Sequence, residues 1–179
     1  PHLRTAVTTD RIMLNVIYSL LPICAFAVFG FGLCAALLIA VTTASCVITE
    51  HVFCRVSKRA STVSDYSAAI TGILLALTLP PGFPLWMAAV GGFISITLGK
   101  LIFGGLGHNP FNPALVGRAF LQTAFPVAIT TWSPVFHPTI WSADRFGSIP
   151  MATLSLPFMK PDSVASFIQG IAIDGFTGA

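Results

Sequence analysis

Residues 12–49 and 66–99 form two unbroken runs without a formal charge. No other feature constrains the fold as tightly. At about 1.5 Å of rise per residue, a helix needs roughly 20 apolar residues to cross the hydrocarbon core of a bilayer, so the first run holds two crossings. Composition agrees. Of the 179 residues, 55% are apolar and 8% charged, against roughly 25% charged in ordinary soluble domains. Such a chain cannot build a charged shell, which excludes a soluble globular domain. The formal charge of +3 is small and sits in loops, so it reads as a topology signal, and no nucleic-acid partner is expected. No cleavable leader is expected either, because the first apolar run is too long for a signal-peptide core and no small-residue cleavage site follows it.

Gly and Pro divide the runs into elements. Residues 13–29 form a first span with Asn15 and Pro22 inside it; Gly30-Phe31-Gly32 is a minimal turn, and residues 33–49 return. Residues 50–65 read as a polar loop with Arg55, Lys58 and Arg59. Residues 67–79 are apolar but would reach only about 20 Å of a roughly 30 Å core. Pro80, Pro81, Gly82 and Pro84 then forbid helical continuation. Residues 85–103 make a fourth span with Lys100 near its end, and residues 113–129 a fifth helix carrying Arg118, Gln122 and Thr123. Residues 131–162 are rich in Pro, Ser and Trp and hold no span; Trp132 and Trp141 suit an interface belt. Residues 163–173 place Val164, Phe167, Ile168 and Ile171 at the spacing of a short helix lying in the interface. The expected fold class is all-α integral membrane, with about five spanning or half-spanning helices in residues 1–130 and an outer-face segment over 131–179.

Orientation follows the Lys and Arg bias. With a cytoplasmic N-terminus, Arg4, Arg11, Arg55, Lys58, Arg59 and Lys100 lie inside, and only Arg145 and Lys160 lie outside. The chain is therefore expected to be multi-pass, with residues from about 131 onward on the outer face of the membrane.

Broken backbone at membrane depth persists only where protein or a water-filled cavity satisfies it. Two breaks occur, at residues 80–84 and 104–113. Each of Asn109-Pro110 and Asn112-Pro113 suits a helix start, with Asn as cap and Pro in the first position. A helix beginning at Pro113 would aim unpaired N–H groups at whatever lies beside Asn112, so the second break is either a binding cavity or a plain turn. Arg118 and Gln122 share a helix face, giving either a polar stripe toward the bundle interior or an arginine that snorkels to the interface. His108 is a loop histidine with solvent or backbone partners, or a ligand. Cys24, Cys34, Cys46 and Cys54 match no zinc or C-x-x-C spacing. They act as small apolar residues, or as ligands of an intramembrane iron–sulfur site shared with a partner. No catalytic residue and no metal site is assigned.

The run Gly104-Gly105-Leu106-Gly107-His108-Asn109-Pro110-Phe111-Asn112-Pro113-Ala114 closely resembles the G-G-x-G-x-N-x-x-N-P-A signature of the RnfD family, a membrane component of Rnf electron-transport complexes. NqrB, its cousin in the sodium-translocating NADH:quinone reductase, shares that signature. Residues 67–81 resemble the family's third helix with its double-proline break, Pro1-His2 resembles the start of its domain, and Asp174-Gly175-Phe176-Thr177-Gly178-Ala179 looks like its D-x-x-S/T-G-A-T flavin motif.

The resemblance implies the first half of a ten-helix inverted-repeat bundle similar to urea channels. It also implies a membrane subunit of an ion-translocating ferredoxin:NAD oxidoreductase (Rnf) complex, which relays electrons coupled to Na⁺ or H⁺ movement. FMN would be held covalently through its phosphate on a threonine that would follow Ala179, installed by an exported flavin transferase, with Asp174, Gly175, Thr177, Gly178 and Ala179 as the attachment motif. Thr177 stands at the Ser/Thr position of that motif and is not the acceptor. Asn109, Asn112 and Arg118 would border a cofactor cavity, with a second, noncovalent flavin near the cytoplasmic break. Other Rnf subunits and the bilayer are the expected partners. The long stretch between Phe125 and Asp174 favours RnfD over NqrB. A solute or ion channel of related fold, or an inert assembly scaffold, are the rival readings.

Overall fold

The computed structural model describes residues 8–58, 65–105 and 107–132. Helix α1 (Thr9–Phe31) and α2 (Leu33–Val56) are joined by Gly32 alone, whose φ of 75° ends one helix and opens the next. That left-handed value is open to glycine without strain, so a single residue replaces the three-residue turn expected from the sequence. Both helices are long and apolar enough to cross a membrane.

On α2 the buried residues are Ala35, Leu38, Thr42, Cys46, Glu50 and Cys54. They recur every three to four positions and form one continuous face. This corrects the expected loop at residues 50–65, because the inward face runs on through Glu50 and the helix continues to Val56. That face packs on α3 (Ser67–Leu77) and α4 (Leu85–Ile96), while α1 lies outermost against α2 and α3. Helix α3 is 11 residues long and so reaches about 16 Å. Helix α4 runs directly into a π-helical turn, Thr97–Leu101. Helix α5 (Pro113–Ala124) packs on α4 and is followed by a short α6 (Pro126–Thr130). The expected fifth helix over 113–129 is therefore interrupted. Phe125, which precedes Pro126, takes φ −133° and ψ 60°, as proline disfavours the helical region for its predecessor.

The distribution of side chains is inverted relative to a soluble protein. Phe26 and Val127 are 64% and 78% exposed, whereas Glu50 and Lys100 are 0% and 1% exposed. Apolar groups on the outside need a nonpolar solvent, and polar groups inside must pair with one another. Between the helices the backbones approach through small residues. A Cβ added at Gly72 would lie 2.5 Å from Thr43 Cα, and one at Gly99 would lie 2.6 Å from Pro113 Cα. Close packing at glycine is how helices associate where lipid supplies no hydrophobic drive. Leu38, Leu75, Leu79, Phe83, Ala88, Ala114, Leu121 and Ile129 form the main apolar core.

Candidate functional site at the two helix breaks

Pro80, Pro81 and Phe83, together with Leu79, are all buried, so the first break lies inside the protein. Pro80 and Pro81 stop α3, whose last bonds run from Thr78 and Leu79 N–H to the Leu75 and Ala76 carbonyls, so the carbonyls beyond Ala76 have no continuing helical ladder. Arg118 answers one of them: its Nη1 donates to the carbonyl of Thr78, the residue that caps α3. Of the two placements open to Arg118, the structure adopts the inward one, tying α5 to the broken end of α3. Gln122 is exposed and does not join it, which corrects the expected interior stripe of both residues. Edge-on packing of Trp86 against Phe125, with centroids 5.4 Å apart, fixes the far end of α5 to the start of α4.

The second break begins where the π turn ends. Gly104, Gly105 and Gly107 all have positive φ, at 106°, 105° and 87°. A Cβ at any of the three would meet nothing within 4 Å, so the glycines serve backbone conformation and leave open space beside the loop. Gly105 N–H returns to the carbonyl of Lys100 at 3.1 Å, and His108, which is exposed, donates its N–H to the carbonyl of Gly105. Of the two Asn-Pro pairs, only the second opens a helix. Asn112 Oδ1 accepts from Ala114 N–H at 3.0 Å with Pro113 in the first position. Asn109 is instead half-buried in the loop, and its Oδ1 finds no hydrogen-bond partner among the described residues. Replacing Asn112 by Ala removes the cap and is expected to destabilise α5 by about 0.5–2 kcal/mol, read as a lowered melting midpoint of the full-length subunit in detergent. An unchanged midpoint would show that the cap is dispensable.

The structure also assembles a polar cluster that the sequence reading did not find. Lys100, placed by the π turn, donates to Glu50 Oε1 of α2 at 2.5 Å and to Ser67 Oγ of α3 at 2.5 Å. Asp65 Oδ1 lies 3.8 Å from the same ammonium and accepts from Ser67 Oγ at 2.6 Å and Ser67 N–H at 3.0 Å. Lys100 was expected in an inside loop. Instead it is buried and paired, so it carries no weight in the orientation count. The overlooked signal was Glu50 and Lys100 as opposite charges, each bordering a long uncharged run: an ionisable residue in an apolar span implies a partner.

Cys46 and Cys54 are buried on the inner face of α2, and Cys46 Sγ sits 3.6 Å from the Gly92 carbonyl. Trp132 is exposed at the end of the described chain. Asp174, Gly175, Thr177, Gly178 and Ala179, like the interface helix expected over 163–173, Trp141, Arg4, Arg59, Arg145 and Lys160, lie outside the described residues.

A helical bundle with lipid-facing apolar surface, interrupted helices and a buried ionic cluster defines an integral membrane protein with an internal polar site. Residues 1–179 match the family described as NQR2, RnfD, RnfE, and the chain belongs to that family. It is 44% identical over 133 residues to the subunit designated D of a proton-translocating ferredoxin:NAD(+) oxidoreductase complex from Clostridium ljungdahlii, covering 74% of this chain and 40% of that protein. It is 46% identical over 131 residues to the corresponding subunit of a Na(+)-translocating ferredoxin:NAD(+) oxidoreductase complex from Acetobacterium woodii, covering 73% and 41%. Against the same-lettered subunit of an ion-translocating oxidoreductase complex from Actinobacillus succinogenes the identity is 35% over 179 residues, covering 99% and 46%. The chain thus spans less than half the length of these curated relatives.

Proposed function

We propose that the chain is part of a membrane subunit of an ion-translocating ferredoxin:NAD oxidoreductase complex, and that this subunit relays electrons through covalently bound FMN. The observation that carries this reading is the family match over residues 1–179 in a chain that also holds the flavin-motif resemblance at Asp174–Ala179. Relatives named as subunits of such complexes support it. FMN would supply one-electron and two-electron chemistry; the protein would supply position, electrostatics and insulation. Gly175, Gly178 and Ala179 would let the flavin phosphate and the modifying enzyme approach the backbone closely, with Asp174 and Thr177 completing the motif. An acceptor threonine after Ala179, a periplasmic position for the motif, an inner-membrane setting with the N-terminus inside, and an exported flavin transferase belong to the same proposal. So does a ten-helix inverted repeat similar to urea channels.

A second, noncovalent flavin would sit at the glycine loop. Asn109 Oδ1 retains an acceptor there and the glycines leave room beside them, whereas Arg118 is engaged at Thr78 and Asn112 at its own helix start.

In-gel fluorescence of the full-length subunit under denaturing conditions tests the covalent flavin. A fluorescent band is expected in the wild type and its disappearance when the residue after Ala179 is replaced by alanine. A dark wild-type band in cells that hold the transferase would favour the channel or scaffold reading. The names of the relatives divide between proton and Na⁺, so the coupling ion is left to transport measurements.

A further inference from the structure

We propose that Asp65, Ser67, Lys100 and Glu50 form a proton relay leading from the surface at the start of α3 into the interior of the bundle. The four groups make a continuous chain. Ser67 Oγ donates to Asp65 Oδ1 at 2.6 Å, and Lys100 Nζ donates to Ser67 Oγ and to Glu50 Oε1, each at 2.5 Å. The Asp65 side chain is 16% exposed, Lys100 is 1% and Glu50 0% exposed, so the chain runs from partial contact with the surroundings to complete burial. Three elements converge to build it: the last turns of α2, the start of α3 and the π turn of α4. π turns are rare and recur at functional sites, and the one that ends α4 carries Lys100 to Glu50. Cys46 and Cys54 are the other titratable groups on the buried face of α2, one helical turn to either side of Glu50. The relay gives a residue-level route to the ion coupling proposed above and rests on that reading.

One transfer balances as follows. Lys100 first gives the proton it shares with Glu50 Oε1 to that oxygen. The neutral amine then turns its lone pair to Ser67, whose hydroxyl swings from Asp65 to Lys100 and delivers its proton there as a proton on the Asp65 carboxyl passes to the Ser67 oxygen. Asp65 ends as carboxylate, Glu50 as carboxylic acid, and Ser67 and Lys100 are unchanged. The step therefore requires a lysine that can surrender a proton and a hydroxyl that bridges to it. A passive ionic lock requires neither.

The test uses inverted membrane vesicles holding the complete complex, supplied with reduced ferredoxin and NAD, with lumen acidification followed by an entrapped pH dye. Lys100→Arg keeps the charge and the pairing with Glu50, but a guanidinium does not deprotonate in proteins. Ser67→Ala leaves the Lys100–Glu50 pair and removes the bridge, and Ser67→Thr restores it. Lys100→Arg and Ser67→Ala are expected to assemble, judged by subunit amount and melting midpoint, and to acidify at least tenfold more slowly, with Ser67→Thr recovering most of the rate. Wild-type acidification by Lys100→Arg or by Ser67→Ala would reduce the cluster to a lock and overturn the relay, as would failure of both variants to assemble. Wild-type vesicles that take up Na⁺ without acidifying would overturn the relay while leaving the ion-coupled reading intact, and uptake of neither ion would remove both.

Discussion

Lys100→Met alone should be among the most destabilising single changes available to this chain, at about 3–5 kcal/mol. Methionine matches the length and much of the volume of lysine, so little packing is lost. What is lost is the cation bound at 2.5 Å to a carboxylate that is 0% exposed. In a dry interior an uncompensated carboxylate is far more unfavourable than an absent ion pair, so removing one partner is worse than removing both. The double variant Glu50→Gln with Lys100→Met should accordingly recover most of the loss, because two neutral side chains of native length need no counter-charge. At about 2–4 °C per kcal/mol for a domain of this size, the single variant should melt on the order of 10 °C lower, measured by fluorescence-detected gel filtration after heating the full-length subunit. A single variant that melts with the wild type, or a double that melts no higher than the single, would mean that the pair is not held as the structure has it.

That cluster marks where the sequence was legible and where it was not. Glycine and proline punctuation placed the first residues of α2 to α5, at Leu33, Ser67, Leu85 and Pro113, because it acts locally on each segment, whereas α2 runs on to Val56 and α5 stops at Ala124, away from the expected ends. The cap at Asn112 was legible for the same reason: a side chain, a proline and the next N–H lie within three residues. Glu50 and Lys100 are 50 positions apart, and Ser67 is 33 from Lys100. Read one window at a time, each charge looked like a loop residue at the end of a span. Their burial follows only from the π turn and from the packing of α2 on α4, neither of which has a local signal. Arg118 was ambiguous for a related reason. Its depth on α5 allowed two directions, and the deciding group was a backbone carbonyl on α3, 40 positions earlier, freed by the proline break. The resemblance identified the family, since its motifs are local strings, and the stretch Asp174–Ala179, which resembles a flavin motif, lies outside the described residues.

Gly72→Ala tests how the bundle is held together, and its expected sign is opposite to that of an ordinary helix substitution. In a solvent-exposed helix, exchanging glycine for alanine gains roughly 0.5–1 kcal/mol through restricted backbone freedom. Gly72 lies on α3 where that helix crosses α2, and a Cβ there would stand 2.5 Å from Thr43 Cα, 2.9 Å from Thr43 N and 3.1 Å from the Thr42 carbonyl. All three obstacles are backbone, so no side-chain rotation relieves them and the two helices must move apart. Overpacking of this kind is unfavourable by about 1–3 kcal/mol, which exceeds the conformational gain, and separating α2 from α3 would also draw Ser67 away from Lys100. Gly91→Ala provides the contrast. The three atoms nearest its added methyl all belong to the Leu121 side chain, at 2.5 Å for Cδ1 and 3.0 Å for Cγ, and a side chain can shift. Gly72→Ala should therefore melt below the wild type by several degrees and Gly91→Ala by less. If Gly72→Ala melted at or above the wild-type midpoint, α2 and α3 would not approach as closely as backbone contact requires, and the small-residue packing that brings Ser67 to Lys100 would be lost with it.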